Sequence, residues 1–179
     1  MEDFHDHIRS VPDWPKEGVV FRDWNPLLAK PGGVAALASQ GVDLIEADIP
    51  EPDIIVGAES RGFILGPMIA DQLNSGFVPV RKPGKTPTPV HSHDYDLEYG
   101  SDTIELGHGL IPEGSRVVIH DDLLATGGTA VAAATLVEKA GGEVAGFLFA
   151  IELEFLPGRE LLVERFGVPV LAIHAYSEE

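Results

Sequence analysis

Cysteine is absent from the 179 residues. There are therefore no disulfides, no thiol chemistry and no thiolate metal site, and an intracellular address fits. Nowhere do about 18 apolar residues run together, so no membrane span is expected. The opening "MEDFHDHIRSVPDW" lacks the basic-then-apolar layout of a secretory signal. Positive charge is also scarce: 12 basic against 29 acidic residues leave a net charge of −17. Such a surface repels nucleic acid and anionic membranes, which argues against both as partners. Two explanations of the acidity stay open, a solubilising surface or adaptation to high salt, where screening weakens self-repulsion. What remains is a globular composition, 44% hydrophobic and 23% charged, in a chain sized for one domain spanning residues 1–179.

The apolar residues come in short runs. "DIIVG" (53–57), "GFVPV" (76–80), "RVVIH" (116–120), "VAGFLFAIEL" (144–153) and "VPVLAIH" (168–174) read as strands. "RGFILGPMIADQL", "TAVAAATLVEKAGG" and "GRELLVERFG" read as helices between them. Nearly all-apolar strands alternating with helices predict an α/β fold, a mostly parallel sheet flanked by helices. In such sheets ligands bind beyond the carboxyl ends of the strands. The polar punctuation falls there: "AESRG", "RKPGKTP" and "DDLLATGGT" each follow a strand.

The third string carries the most chemistry. Gly127 and Gly128 let backbone approach a ligand, Thr126 and Thr129 supply hydroxyls, and a helix begins, so its free N–H groups favour a phosphate. Asp121 and Asp122 lie just before, where carboxylates accept hydrogen bonds from vicinal hydroxyls. A phosphate cradle beside a diol acceptor suits a ribose 5-phosphate. An ordinary capped turn would explain a lone "GG" or "DD", but not the whole string.

"VVIHDDLLATGGTA" resembles the signature of the type I phosphoribosyltransferases, which use 5-phosphoribosyl 1-pyrophosphate. "GVVFRDWNPLL", "AESRGFILGP", "VPVRKPGKTP" and "YDLEYGSDTIEL" narrow the resemblance to the adenine phosphoribosyltransferases, from about Ile8 to the C-terminus. The resemblance implies that fold with an N-terminal hood (about 1–30) and a mobile two-stranded flap (about 86–108). It implies transfer of phosphoribosyl to adenine, giving AMP and pyrophosphate, with Mg²⁺ held mainly by substrate and water and no direct protein ligand. A cytoplasmic homodimer in purine salvage is also implied.

By the same resemblance Asp121 and Asp122 hold the ribose hydroxyls, and Ala125, Thr126, Gly127, Gly128 and Thr129 bind the 5-phosphate. Glu59, Ser60, Arg61, Arg81, Lys82, Lys85 and Tyr99 serve the pyrophosphate, with Arg61 also catalytic and Arg81 reaching across a dimer interface. Val20, Phe21 and Arg22 line the base, and Glu98 accepts the adenine N–H proton. Relatives often carry a non-proline cis peptide in the loop matching residues 58–60. His120 stands where an apolar residue is usual, and Trp24 and Asn25 replace smaller residues expected near the base. The pairs His5/His7 and His91/His93 have a spacing that could grip a metal on a strand, but no further ligand set recurs, so surface histidines are expected. A transferase for another purine and a non-catalytic phosphoribosyl pyrophosphate sensor are the alternatives. "GAESRG" does not fit the dinucleotide turn of a Rossmann oxidoreductase.

Overall fold

The computed structural model describes residues 7–87, 89–97 and 100–178. The first described elements are a small ribbon, β1 (Arg9–Val11) antiparallel to β2 (Phe21–Asp23), and a short helix α1 (Asn25–Leu28). Then come α2 (Gly33–Asp48), β3 (Ile54–Ala58), α3 (Gly62–Gln72), β4 (Gly76–Arg81), β5 (Val90–Leu97), β6 (Gly100–Gly107), β7 (Arg116–Leu124), α4 (Gly128–Lys139), β8 (Glu143–Leu153), α5 (Gly158–Phe166) and β9 (Val170–Tyr176). One seven-stranded sheet has the order β5-β6-β4-β3-β7-β8-β9. Its pairs from β4 through β9 are parallel, while β6 adds antiparallel to β4 and β5 antiparallel to β6. This is the expected α/β sheet.

β3 lies at the centre and every one of its five residues is buried, which is why its sequence shows no polar alternation. One face of the sheet packs Leu37, Ile45, Leu65 and Ile69 of α2 and α3, together with Trp24 and Leu27. The other packs Ala132, Ala133, Leu136 and Val137 of α4 with Leu162 of α5. Helix α2 was not assigned from the sequence, although Leu37, Ala38, Gly41, Val42 and Ile45 form a buried stripe at helical spacing. Gly41 marks its closest approach to the sheet, since a Cβ there would meet Leu148 Cδ2 at 2.9 Å.

Two expectations need correction. β7 does not end at His120: it runs to Leu124, with Asp121 paired to Phe149 and Leu123 to Ile151 on β8. The aspartates therefore sit inside a strand, held by ladder bonds that continue past the apolar run. Trp24 is 3% exposed and packs in the core rather than against a base cavity. The flap strands form a hairpin paired from Val90↔Gly107 to Leu97↔Gly100, and its base continues the main sheet through Val80↔Leu106.

The carboxyl ends of β3, β4 and β7 open on one edge, and β3 and β7 are neighbours although β4 follows β3 in the chain. That is a topological switch point, where adjacent strands send their connections in opposite directions and leave a crevice.

Candidate active site

Three cavities meet at this crevice. The middle one is lined by Ala58, Glu59, Arg61, Lys82, Tyr95, Asp121, Asp122 and Thr129, among others. It shares Asp121 and Thr129 with a second, formed by residues 123–130. It shares Arg61 and Asp122 with a third, lined by Val20, Phe21, Arg22, Leu123, Ile151 and Leu153. The two aspartates thus stand where all three join.

Their strand position explains their electrostatics. Burial, with the neighbouring Asp122 carboxylate second, pushes Asp121 up to about 7. Burial also raises Asp122, opposed by the Arg61 guanidinium, whose Nε lies 3.0 Å from Asp122 Oδ2. Two adjacent acids in a partly dry crevice do not both ionise readily, and Arg61 favours the charge on Asp122.

The second cavity is the mouth of α4. Gly127 takes φ +84° as the residue before the helix, a conformation that favours glycine. The turn exposes the first N–H groups of α4, with Thr126 and Thr129 hydroxyls beside them. No charged side chain occurs from Ala125 to Thr129. Backbone N–H groups and two hydroxyls are what this turn can offer an anion.

On the opposite side the cations are not idle. Lys85 Nζ pairs with Glu59, and the Glu59 carboxylate also accepts the Lys82 N–H at 2.7 Å. Those two contacts, Lys85 first, hold Glu59 below the usual carboxylate range. Glu59 therefore organises the basic loop. Lys82 Nζ pairs with Asp102 on β6, which also accepts from the Tyr95 hydroxyl at 3.3 Å. Arg81 Nη1 donates to the Lys85 carbonyl at 3.0 Å, within its own chain. The peptides of residues 58–60 are trans, contrary to expectation. The only cis bond among the described residues is Trp14–Pro15, and the loop turns instead through Ser60 at φ +76°. A serine there is strained.

The third cavity has an apolar floor, Leu123, Ile151 and Leu153, and a lip of Val20 and Phe21. Phe21 meets Trp14 edge-on with centroids 4.3 Å apart. The Arg22 guanidinium turns outward, 4.3 Å over the Tyr176 ring, with Nη1 donating to Ser10 Oγ at 2.5 Å and Nη2 to the Glu178 carbonyl at 3.0 Å. Arg22 thus anchors the ribbon against the C-terminus. The floor residues and Tyr95 were missed from the sequence; the apolar run continuing after the aspartates, "LL", was the available signal. Glu98 and Tyr99 lie outside the described residues.

Among the described residues no histidine lines these three cavities. His120 is fully buried, its Nδ1 is 2.9 Å from the Leu148 carbonyl, and burial lowers it to about 4. His91 stacks on His108 at 4.6 Å, His93 lies 3.3 Å from Lys139 Nζ, and His7 lies 3.2 Å from Lys30 Nζ. An ammonium neighbour disfavours a cation site. His5 is outside the described residues. Among the described residues no group of three His, Cys, Asp or Glu could hold a metal ion, and no helix is long and apolar enough to cross a membrane.

The phosphoribosyl transferase domain model matches residues 23–153. An adenine phosphoribosyltransferase of Synechococcus sp. (strain JA-3-3Ab) is 55% identical over 96% of this chain and 97% of its own length. The chain belongs to the adenine phosphoribosyltransferase family. Among solved members, the enzyme of Thermoanaerobacter pseudethanolicus superposes with TM-score 0.88 at 42% identity, covering 96% of both chains. The Saccharomyces cerevisiae enzyme, complexed with D-2,5-dideoxy-2,5-imino-altritol 1,6-bisphosphate and adenine, superposes with TM-score 0.85 at 43% identity. That match covers 93% of this chain and 94% of the other. The range matched by the family model includes "HDDLLATGGT" and the basic loop at residues 81–85.

Proposed function

We propose that the chain transfers the 5-phosphoribosyl group of phosphoribosyl pyrophosphate to adenine, releasing AMP and pyrophosphate. The observation that carries this is the junction of the three cavities on Asp121 and Asp122. A ribose at that junction has its 5-phosphate directed to Ala125–Thr129, its pyrophosphate to Arg61, Lys82 and Lys85, and a base to the Phe21 cavity.

The chemistry follows from the charges. As the anomeric carbon–oxygen bond breaks, its electron pair leaves with pyrophosphate and the sugar becomes cationic. Asp121 and Asp122 stabilise the ribose cation, and the basic groups stabilise the leaving anion. The imidazole nitrogen of adenine forms the new bond and loses its proton, for which Glu98 is the proposed acceptor. Ser60 and Tyr99 complete the proposed pyrophosphate set. Phe21 offers a face to the base, and backbone groups of Val20 and Arg22 offer it hydrogen bonds.

Mg²⁺ is the proposed cofactor. The fit rests on the donor set: Asp121, Asp122 and Glu59 line the middle cavity, but among the described residues no three acids group as metal ligands, so its ligands would be mainly substrate oxygens and water. When bound it would neutralise charge on the pyrophosphate. A homodimer is proposed from the resemblance, as is a cytoplasmic site of action, where a polyanionic substrate is retained.

The test is a panel of adenine, hypoxanthine, guanine and xanthine with phosphoribosyl pyrophosphate and Mg²⁺, with single-turnover AMP formation for wild type and Glu98→Gln. Adenine alone should react well, and Glu98→Gln should slow the step about 10²–10⁴-fold. Equal use of hypoxanthine refutes adenine specificity. Turnover of no base favours the sensor. Sedimentation would settle the dimer.

A further inference from the structure

A phosphate seat without charged side chains depends on where its backbone N–H groups point. Backbone donors have no rotamers to adjust, so their aim is set by what packs behind the loop. Behind residues 125–127 lies the start of α5. The Gly158 N–H donates to the Ala125 carbonyl at 3.1 Å. A Cβ on Gly158 would come 2.3 Å from that same oxygen. A Cβ on Gly127 would meet Gly158 Cα and its carbonyl oxygen at 3.3 Å each. The loop and the helix start thus touch backbone to backbone, an approach that glycine permits.

Such a contact aims the loop only if α5 is itself fixed, and its apolar anchoring is thin: only Gly158 and Leu162 of the helix are buried. The residue after Gly158 supplies the rest. Arg159 Nε donates to Glu152 Oε1 at 2.6 Å, Nη2 donates to the other carboxylate oxygen, and Nη1 donates to the Val170 carbonyl at 2.6 Å. One guanidinium therefore ties the first turn of α5 to both β8 and β9. Glu152 is 1% exposed and pairs in register with Leu124, the last residue before the loop. The Glu152 carboxylate is enclosed while the Arg159 side chain is 43% exposed, and partly buried ion pairs are often replaceable by apolar residues without loss of stability. What an apolar pair lacks is the fixed plane and direction of a guanidinium fork.

We propose that Arg159 and Glu152 are positioning residues for the 5-phosphate. The fork fixes α5, and Gly158 passes that constraint to the Ala125–Gly127 backbone that seats the phosphate. Neither side chain touches substrate. The inference rests on the assignment of residues 125–129 as that seat.

Arg159→Lys keeps the charge and loses the fork; Gly158→Ala keeps the fork and drives a methyl toward the Ala125 carbonyl. Affinities for ribose 5-phosphate and for pyrophosphate are measured separately by calorimetry on folded protein, alongside the melting temperature and the adenine KM. Each variant should lose about tenfold or more for ribose 5-phosphate, since misplacements far from the chemistry can cost up to about a hundredfold. Pyrophosphate affinity and adenine KM should hold. If one variant does not fold, the other carries the test, with Glu152→Gln as a third. No loss, or an equal loss for both ligands, overturns the proposal. Thr126→Ala/Thr129→Ala separates the two assignments. A loss of ribose 5-phosphate there, with none in Arg159→Lys and Gly158→Ala, overturns the positioning role alone. An unchanged affinity in that double variant places the seat elsewhere and overturns both.

Discussion

At one end of the crevice, residues 125–129 offer a phosphate glycines, hydroxyls and the start of α4, with no formal charge. At the other, residues 81–85 carry Arg81, Lys82 and Lys85, and the lysines are already engaged by Glu59 and Asp102. On the proposed assignment the first end is a fixed array of donors and the second works by ion exchange. In a chain with 29 acids and 12 bases, an exposed cation readily finds a carboxylate of its own. Exposed pairs of this kind are worth only about 0–1 kcal/mol, whereas pyrophosphate brings several charges to several donors at once. The exchange should therefore run toward the ligand. The difference suits the chemistry: the 5-phosphate stays attached throughout, while the pyrophosphate must be held more tightly as charge grows on it and then released.

The sharpest way to break this contrast is to remove donors from each end. Arg61→Ala or Lys85→Ala should lower kcat/KM for phosphoribosyl pyrophosphate about a hundredfold, because a donor at developing charge supplies roughly 3 kcal/mol. Thr126→Ala, which removes one donor from a ground-state contact, should cost about tenfold. Equal losses in steady-state kinetics would dissolve the distinction.

A smaller effect tests the exchange itself. Asp102→Asn leaves Lys82 without its resident carboxylate and should tighten pyrophosphate about two- to fivefold by calorimetry, the scale of an exposed ion pair. Ribose 5-phosphate affinity should be unaffected. Raising salt from about 0.1 to 1 M shortens the screening length from roughly 10 to 3 Å, so pyrophosphate should weaken more than ribose 5-phosphate. Weaker pyrophosphate binding in Asp102→Asn would mean that Asp102 orients Lys82 instead of competing for it.

The smallest expected effect concerns the strand between the two ends. Asp121 is raised in the folded chain to about 7, above its ordinary value of about 3.9. Its protonated form favours folding, and that contribution is lost as pH climbs through about 7. Asp121→Asn should therefore raise the melting temperature at pH 8 by about 2–4 °C, with little gain near pH 4, while activity collapses. His120 works the other way: lowered to about 4 by burial, it contributes fully above about 6.5 and loses that contribution as pH falls toward 4. No thermal gain in Asp121→Asn at pH 8 would show the carboxylate to be well solvated.

Local patterns carried far in this chain. The runs 53–57 and 144–153 read as strands because most of their residues are buried between two helix layers, leaving few polar positions to interrupt them. The turn into α4, proposed as the phosphate loop, was legible because its glycines, hydroxyls and helix start are consecutive. β7 was cut short because an apolar run is the only local mark of a buried strand, and Asp121 and Asp122 break that run while the ladder to β8 continues. The family resemblance put Trp24 near a base, yet it packs in the core.

By itself, then, the amino-acid sequence determined the order of the central strands and of the helices between them from β3 onward, and which groups are candidates to meet a phosphate, a diol and a base. These depend on residues close in the chain, where propensity and spacing act directly. Only the tertiary structure decided which charge meets which. Lys82 finds Asp102 across 20 positions and Lys85 finds Glu59 across 26, choices that composition leaves open among 29 acids. Gly158 reaches the phosphate loop only because β8 returns the chain beside β7, and backbone contacts of that kind leave no mark in local pattern.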